Sequence, residues 1–185
     1  MLQKENCTLY SGGLTGAECA FGEAAEKWGV KEVHFTFPGN TPARKKHVVV
    51  LSETELTRGD ISMELAAKMM NRSYYEADKI RKVLQTIFHM VNHGHQVFAI
   101  GTVMADNTVK GGTGWAVELA KLFNRPVSVF DQDRVQWFTW LQGSWQKDSP
   151  KIENTTFVGS GTRNLTEAGR AAIDKLFADA FGTPS

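Results

Sequence analysis

Two periods of apolar and polar residues take turns along the chain. The run Thr8-Leu9-Tyr10 reads as a strand and ends in Ser11-Gly12-Gly13. A helical stretch follows from Ala17 to Trp28, and Gly29 stands where a left-handed C-terminal cap belongs. Val33-His34-Phe35-Thr36-Phe37 alternates like a strand and meets the turn Pro38-Gly39-Asn40. The β-branched run His47-Val48-Val49-Val50-Leu51 predicts another strand. Residues 63–71 and 74–93 have helical spacing. The second places Ile80, Val83, Leu84, Ile87, Phe88 and Val91 on one face, and Asn92-His93-Gly94-His95 ends it.

The second half repeats the pattern. Val97-Phe98-Ala99-Ile100 reads as a buried strand, and a loop through Asp106 and Asn107 leads to Gly111-Gly112-Thr113-Gly114. A helix to Phe123 and the strand Val127–Asp131 come next. Phe157-Val158-Gly159 predicts a short strand and Leu165–Phe181 a closing helix, with Asn164 and Glu167 spaced as a capping box. This alternation predicts an α/β protein: a three-layer, Rossmann-like fold with a mostly parallel central sheet flanked by helices. No linker or low-complexity stretch interrupts residues 1–185, which read as a single domain. In open sheets of this kind ligands lie beyond the carboxyl ends of the strands. Four segments are therefore candidates for the site: residues 11–16, 37–40, 101–114 and 159–163.

Composition narrows the function classes. Twenty-one Lys and Arg against twenty Asp and Glu leave a formal charge of +1, with both signs scattered. That provides no basic stripe for a nucleic-acid backbone and no polybasic membrane surface. The apolar runs are far shorter than the roughly 20 residues of a membrane span. The opening Met-Leu-Gln-Lys-Glu-Asn lacks a signal core, so a cytoplasmic protein is expected, without nucleic-acid or membrane partners. Cys7 and Cys19 fit that compartment as reduced thiols. His89, His93 and His95 crowd together without an accompanying carboxylate, so they are read as helix-end histidines rather than a metal site.

Glycines carry the candidate chemistry. Ser11-Gly12-Gly13-Leu14-Thr15-Gly16 lies between a strand and a helix, where glycine permits close backbone approach and the helix start offers free N–H groups to an anion. Gly111-Gly112-Thr113-Gly114 has the same placement before a second helix. Neither is a P-loop, because no Gly-Lys-Ser/Thr follows. Gly159-Ser160-Gly161 opens like a dinucleotide fingerprint, and Arg163 behind it offers a planar fork for phosphate or is a surface arginine. Two equivalent turns favour a phosphate-bearing ligand, with Ser11, Gly12, Gly13, Thr15, Gly16, Gly111, Gly112, Thr113, Gly114, Trp115 and Arg163 as its binding set. No metal and no further cofactor are required.

Lys110-Gly111-Gly112-Thr113-Gly114-Trp115-Ala116-Val117-Glu118 resembles the Pro-Gly-Gly-x-Gly-Thr-x-x-Glu motif of the "lonely guy" nucleotide phosphoribohydrolases. Lys110 stands for the family proline and Trp115 for its threonine. Gly12-Gly13-Leu14-Thr15-Gly16-Ala17 resembles the Gly-Gly-Gln-Thr-Gly-Ala opening of molybdenum-cofactor carrier proteins. Both families belong to the SLOG superfamily of Rossmann-like nucleotide binders, and the architectural resemblance runs from about Leu9 to Phe130. It implies hydrolysis of the N-glycosidic bond of a nucleoside monophosphate, with Glu118 as the carboxylate beside the anomeric carbon. Arg81, from the pair Arg81-Lys82, would be its partner. The carrier-like first turn and Trp115 imply the alternative, a non-catalytic binder, carrier or sensor of a nucleotide-derived ligand.

Trp137, Trp140 and Trp145 fall within nine residues and are costly to leave in water. Core packing or an oligomer seam accounts for them better than base stacking. Together with the apolar face of 74–93 they predict a homodimer or higher homo-oligomer. The competing expectation is that residues 132–150 fold over that helix within one chain.

Overall fold

The computed structural model describes residues 2–74 and 77–184. It is an α/β protein built on one eight-stranded sheet with helices on both faces. The chain runs β1 (Thr8–Ser11), α1 (Ala17–Trp28), β2 (Lys31–Thr36), β3 (Val48–Val50), α2 (Glu53–Thr57), α3 (Asp60–Met70) and α4 (Asp78–His93). It continues through β4 (Val97–Gly101), α5 (Thr113–Leu122), β5 (Val127–Asp131), β6 (Gln136–Leu141), β7 (Ser144–Lys147), β8 (Thr156–Gly161) and α6 (Glu167–Phe181). The strand order is β3-β2-β1-β8-β4-β5-β6-β7, parallel from β3 through β5 and antiparallel from β5 to β7. The last strand thus enters the middle of the sheet, between β1 and β4.

The central strands are buried on both faces, and their side chains divide between two cores. Val97 and Ala99 of β4, Val127 and Val129 of β5 and Val158 of β8 meet α3, α4 and α5. Phe98, Ile100, Phe130 and Phe157 point the other way, toward α1 and α6. Small residues bring α1 close to the sheet. An added Cβ at Gly159 would strike the ring of Phe21, so glycine in β8 makes room for a helix phenylalanine.

Helix ends follow local chemistry. Gly29 closes α1 at φ 75°, and Asn71 closes α3 at φ 54°. Ser52 and Glu55 form a capping box at α2, an element the sequence reading passed over. The expected box of Asn164 and Glu167 does not form. Thr166 caps α6 instead, accepting from Gly169 N–H at 3.0 Å, and Asn164 lies two residues outside the helix with its N–H on Thr162 Oγ1.

Three further expectations change. Helical spacing at 63–71 catches only the latter part of α3, which starts at Asp60, and the helix expected from residue 74 starts at Asp78, with residues 75–76 outside those described. The apolar face of α4 is covered within the chain. Leu84, Ile87 and Val91 are buried against the sheet and neighbouring helices, and only Ile80 of that face is largely exposed. Residues 136–147 do not fold across α4. They form a hairpin, β6–β7, paired edge-on to β5, with Gln142 and Gly143 at φ 50° and 79° in its turn. Trp137 packs on the core beneath α1 and α6, whereas Trp140 and Trp145 meet each other at 5.1 Å beside Lys121 of α5. Among the described residues no helix is long and apolar enough to cross a membrane.

Candidate functional site

Parallel strands end their hydrogen-bonding ladders at their carboxyl edge, and the chain must leave the sheet there by turns. Where β1, β8 and β4 stand side by side, three such turns meet around a cavity of about 640 Å3. The first contributes Gly12, Leu14, Thr15 and Glu18. The second contributes Gly101, Thr102 and Lys110 to Thr113; the third contributes Thr162, Arg163, Asn164 and Thr166, beside Ser160 and Gly161 at the end of β8. Phe35, Val83 and Ile87 form an apolar wall, and Asn40, Gln132 and Asp133 stand at the rim. All four segments marked in the sequence supply residues to this one cavity. Its volume falls within the range for small-molecule and cofactor sites.

The first turn is held tightly. Gly13, at φ 66°, has a carbonyl that accepts from Ala43 and Arg44 N–H. The Arg44 guanidinium then forks onto the buried Glu32, Nε to Oε1 at 2.8 Å and Nη2 to Oε2 at 2.7 Å. Nη2 also reaches Glu26, and His34 Nε2 lies 2.9 Å from Glu32 Oε1. Burial pushes the Glu32 carboxyl up, but the bonds from His34 and Arg44 prevail and hold it below its ordinary range. Gly16, at φ 100°, packs against the backbone of Thr162 and Arg163, joining the first turn to the third. Ser11 Oγ donates to the Gly159 carbonyl at 2.6 Å, which ties β1 to β8.

Glu18 sits in this turn. It is 7% exposed, lines the cavity and accepts from Leu14 N–H at 3.1 Å through Oε2. Burial pushes its carboxyl up to about 7, against the Leu14 hydrogen bond and the Arg163 charge, which pull it down. The second turn has no such carboxylate. Gly111 and Gly112 are exposed, a Cβ at either would meet nothing within 4 Å, and Lys110 stands beside them. Arg72 holds this turn from behind, Nη1 on the Gly111 carbonyl at 3.0 Å and Nη2 on that of Val109 at 2.8 Å.

The expected residues therefore separate into three groups. Gly12, Thr15, Gly111, Gly112, Thr113 and Arg163 line the cavity. Ser11, Gly13, Gly16 and Gly114 shape the turns without lining it; a Cβ at Gly114 would strike the Val109 carbonyl. Trp115 is buried against Tyr74, with ring centroids 5.9 Å apart, and offers no stacking face. Glu118 and Arg81 are placed elsewhere. Glu118 lies one turn beyond Gly114 on the same helix face, and that face looks at the 106–109 loop rather than the cavity. Its carboxylate is buried 3.4 Å from Lys121 Nζ. Arg81 donates to Asp60 at 3.3 Å and stacks 4.1 Å from the Tyr74 ring centroid. The two share no contact. Gly159, Ser160 and Gly161 belong to β8 itself, so the third turn begins at Thr162.

The sequence reading missed Glu18, whose signal was an acid in the first turn of α1 just after the glycines. It also named Lys110 only as a departure from a motif. His89 and His93 stay neighbours on α4, both beside the Phe35 ring, and each of the three histidines has its own partner: His89 Nε2 meets the Glu55 carbonyl, His93 Nδ1 the His89 carbonyl and His95 Nδ1 the Thr156 hydroxyl. Comparison with protein-family models, curated proteins and solved structures finds no match, so the functional reading rests on this geometry.

Proposed function

We propose that the chain is a Rossmann-like nucleotide binder of SLOG type, whose cavity holds a phosphate-bearing, nucleotide-sized ligand. One observation carries this reading: turns distant in sequence converge, with Lys110 and Arg163, on a single cavity at the carboxyl ends of β1, β8 and β4. Strand order reverses direction around this point, with β2 and β3 on one side of β1 and β5 on the far side of β4, and open parallel sheets bind ligands at such places. The apolar wall of Phe35, Val83 and Ile87 suits a base or another flat ring, and the glycine turns suit the phosphate.

Binding without turnover is favoured over N-glycosidic hydrolysis by Glu118 and Arg81, because neither side chain lines the cavity. A hydrolytic reading retains one specific support, the carboxylate of Glu18, which does line it. Thermal melting with adenosine monophosphate and with free adenine tests the binding reading. At a hundredfold excess over its dissociation constant, a bound nucleotide adds about 2.7 kcal/mol. For a domain of this size that is a rise of roughly 5–10 °C. The monophosphate is expected to produce it and adenine is not. Equal shifts, or none, overturn the phosphate site. Release of free adenine from the monophosphate would favour the hydrolytic reading.

A further inference from the structure

Glu18 places a carboxylate where a glycine-rich turn before a helix would ordinarily accept an anion. Its Oε2 takes the Leu14 N–H, and among the described residues that is the only hydrogen bond the carboxylate receives. An ideal Cβ at Gly12 would lie 2.9 Å from the same oxygen. Glycine at position 12 therefore leaves room for the protein's own carboxylate, not only for a ligand. The second turn is the opposite case. The N–H groups of Gly111, Gly112 and Thr113 donate to no acceptor among the described residues, and the space over both glycines is open.

We infer that Glu18 is the ligand-orienting residue of the cavity: it receives the sugar hydroxyls of a phosphorylated pentose, and the phosphate goes to Lys110 and the amides of Gly111 to Thr113. This rests on the nucleotide-binding reading and deepens it by assigning each end of the ligand. The argument is electrostatic. A phosphate laid on the first turn would face the Glu18 carboxylate in a place with little water to screen it, and like charges there repel strongly. A hydroxyl group donates to that carboxylate and adds the partner its second oxygen lacks. The ionisable side chains lining the cavity are Glu18 on α1, Lys110 before α5, Asp133 after β5 and Arg163 after β8. Arg163 is the cation Glu18 feels, and Asp133 accepts from Thr102 Oγ1 at 3.2 Å. Lys110 forms no ion pair among the described residues and is available to a phosphate.

Calorimetric titration of ribose 5-phosphate and of inorganic phosphate, at pH 6 and pH 8, tests the assignment on wild-type protein and on Glu18→Gln. Hydrogen bonds to a charged group are worth enough that at pH 8 the variant should lose about tenfold in affinity for ribose 5-phosphate. Inorganic phosphate, which needs only the second turn, should change less than about twofold. The wild-type preference for the sugar phosphate should rise from pH 6 to pH 8 as Glu18 ionises, and that of the variant should stay flat. Gly12→Ala, which pushes the carboxylate from its seat, should reproduce the loss. Unchanged ribose 5-phosphate affinity in Glu18→Gln overturns the inference while leaving nucleotide binding standing. Tighter inorganic phosphate binding by the variant also overturns it, because the phosphate then sits beside residue 18. Wild-type protein that binds neither compound removes the underlying reading as well.

Discussion

The turn after β1 and the turn before α5 share a glycine pattern and a position, each joining a parallel strand of the same sheet to the helix that follows it. Their surroundings differ in every other respect. The first is buried at Gly12 and Gly13, locked to the Arg44 loop through the Gly13 carbonyl, pressed against the third turn at Gly16 and filled by the Glu18 carboxylate. The second is open to solvent at Gly111 and Gly112, braced from behind by Arg72 and by the Lys110 N–H on the Thr102 carbonyl, and among the described residues the amides of Gly111 to Thr113 meet no acceptor. Glycine in the first turn answers crowding by protein atoms; glycine in the second leaves a surface that a ligand can approach. A glycine motif alone therefore does not say which kind of turn it makes.

The largest expected effect breaks the first turn from below. Arg44→Ala leaves the Glu32 carboxylate buried without its cation, and loss of one partner of a buried pair costs about 3–5 kcal/mol. Chemical denaturation should show that loss, and a change below about 1 kcal/mol would mean His34 alone satisfies Glu32. The glycines give a sharper contrast. At Gly16 an added Cβ falls 2.5 Å from the Thr162 carbonyl oxygen at φ 100°, so Gly16→Ala should cost about 2–4 kcal/mol. Gly112→Ala meets no atom within 4 Å and has a helical φ of −60°, so its stability should move by less than about 0.5 kcal/mol. Similar losses at the two positions would dissolve the distinction.

One further effect takes its size from the pH. Burial raises the folded-state Glu18 carboxyl from its ordinary 4.5 to about 7, so the folded protein binds a proton that the unfolded chain has released between those values. Stability falls as pH rises through that window, and the cost is complete above it. Glu18→Gln should therefore stabilise the protein by about 2–3 kcal/mol at pH 8 and by almost nothing at pH 4. Melting curves across that range would show the two proteins diverging; parallel curves would mean the carboxylate is solvated.

Much of the scaffold was legible because it is locally encoded. Ala17 to Trp28 forms the helix its spacing predicted, Gly29 caps it, and Val127 to Asp131 is a strand as expected. The hairpin of β6 and β7 escaped notice because its turn is Gln142-Gly143 rather than the usual Asn-Gly or Asp-Gly, and its strands are dominated by tryptophans that also suit an interface. The signal was present: alternating apolar residues on either side of a two-residue turn ending in glycine. Glu118 was misleading for a different reason. Its spacing from the glycines is correct, but the rotation of α5 follows the packing of Gly114 against the Val109 carbonyl and Arg72, the latter near only in the folded chain, and Lys121 on the same helix then holds the carboxylate.

Sequence alone determined the alternation of strands and helices, the glycine turns at strand ends and the four segments that meet at the cavity. Each depends on residues within a few positions of one another, where backbone sterics and side-chain period act directly. Only the tertiary structure decided that β8 enters between β1 and β4, which brings Arg163 to the first turn, and that Glu18 rather than Glu118 faces the cavity. Those outcomes depend on which apolar faces are buried together across the whole chain. Strand order and helix rotation are solutions to that packing problem, and no short window of residues contains them.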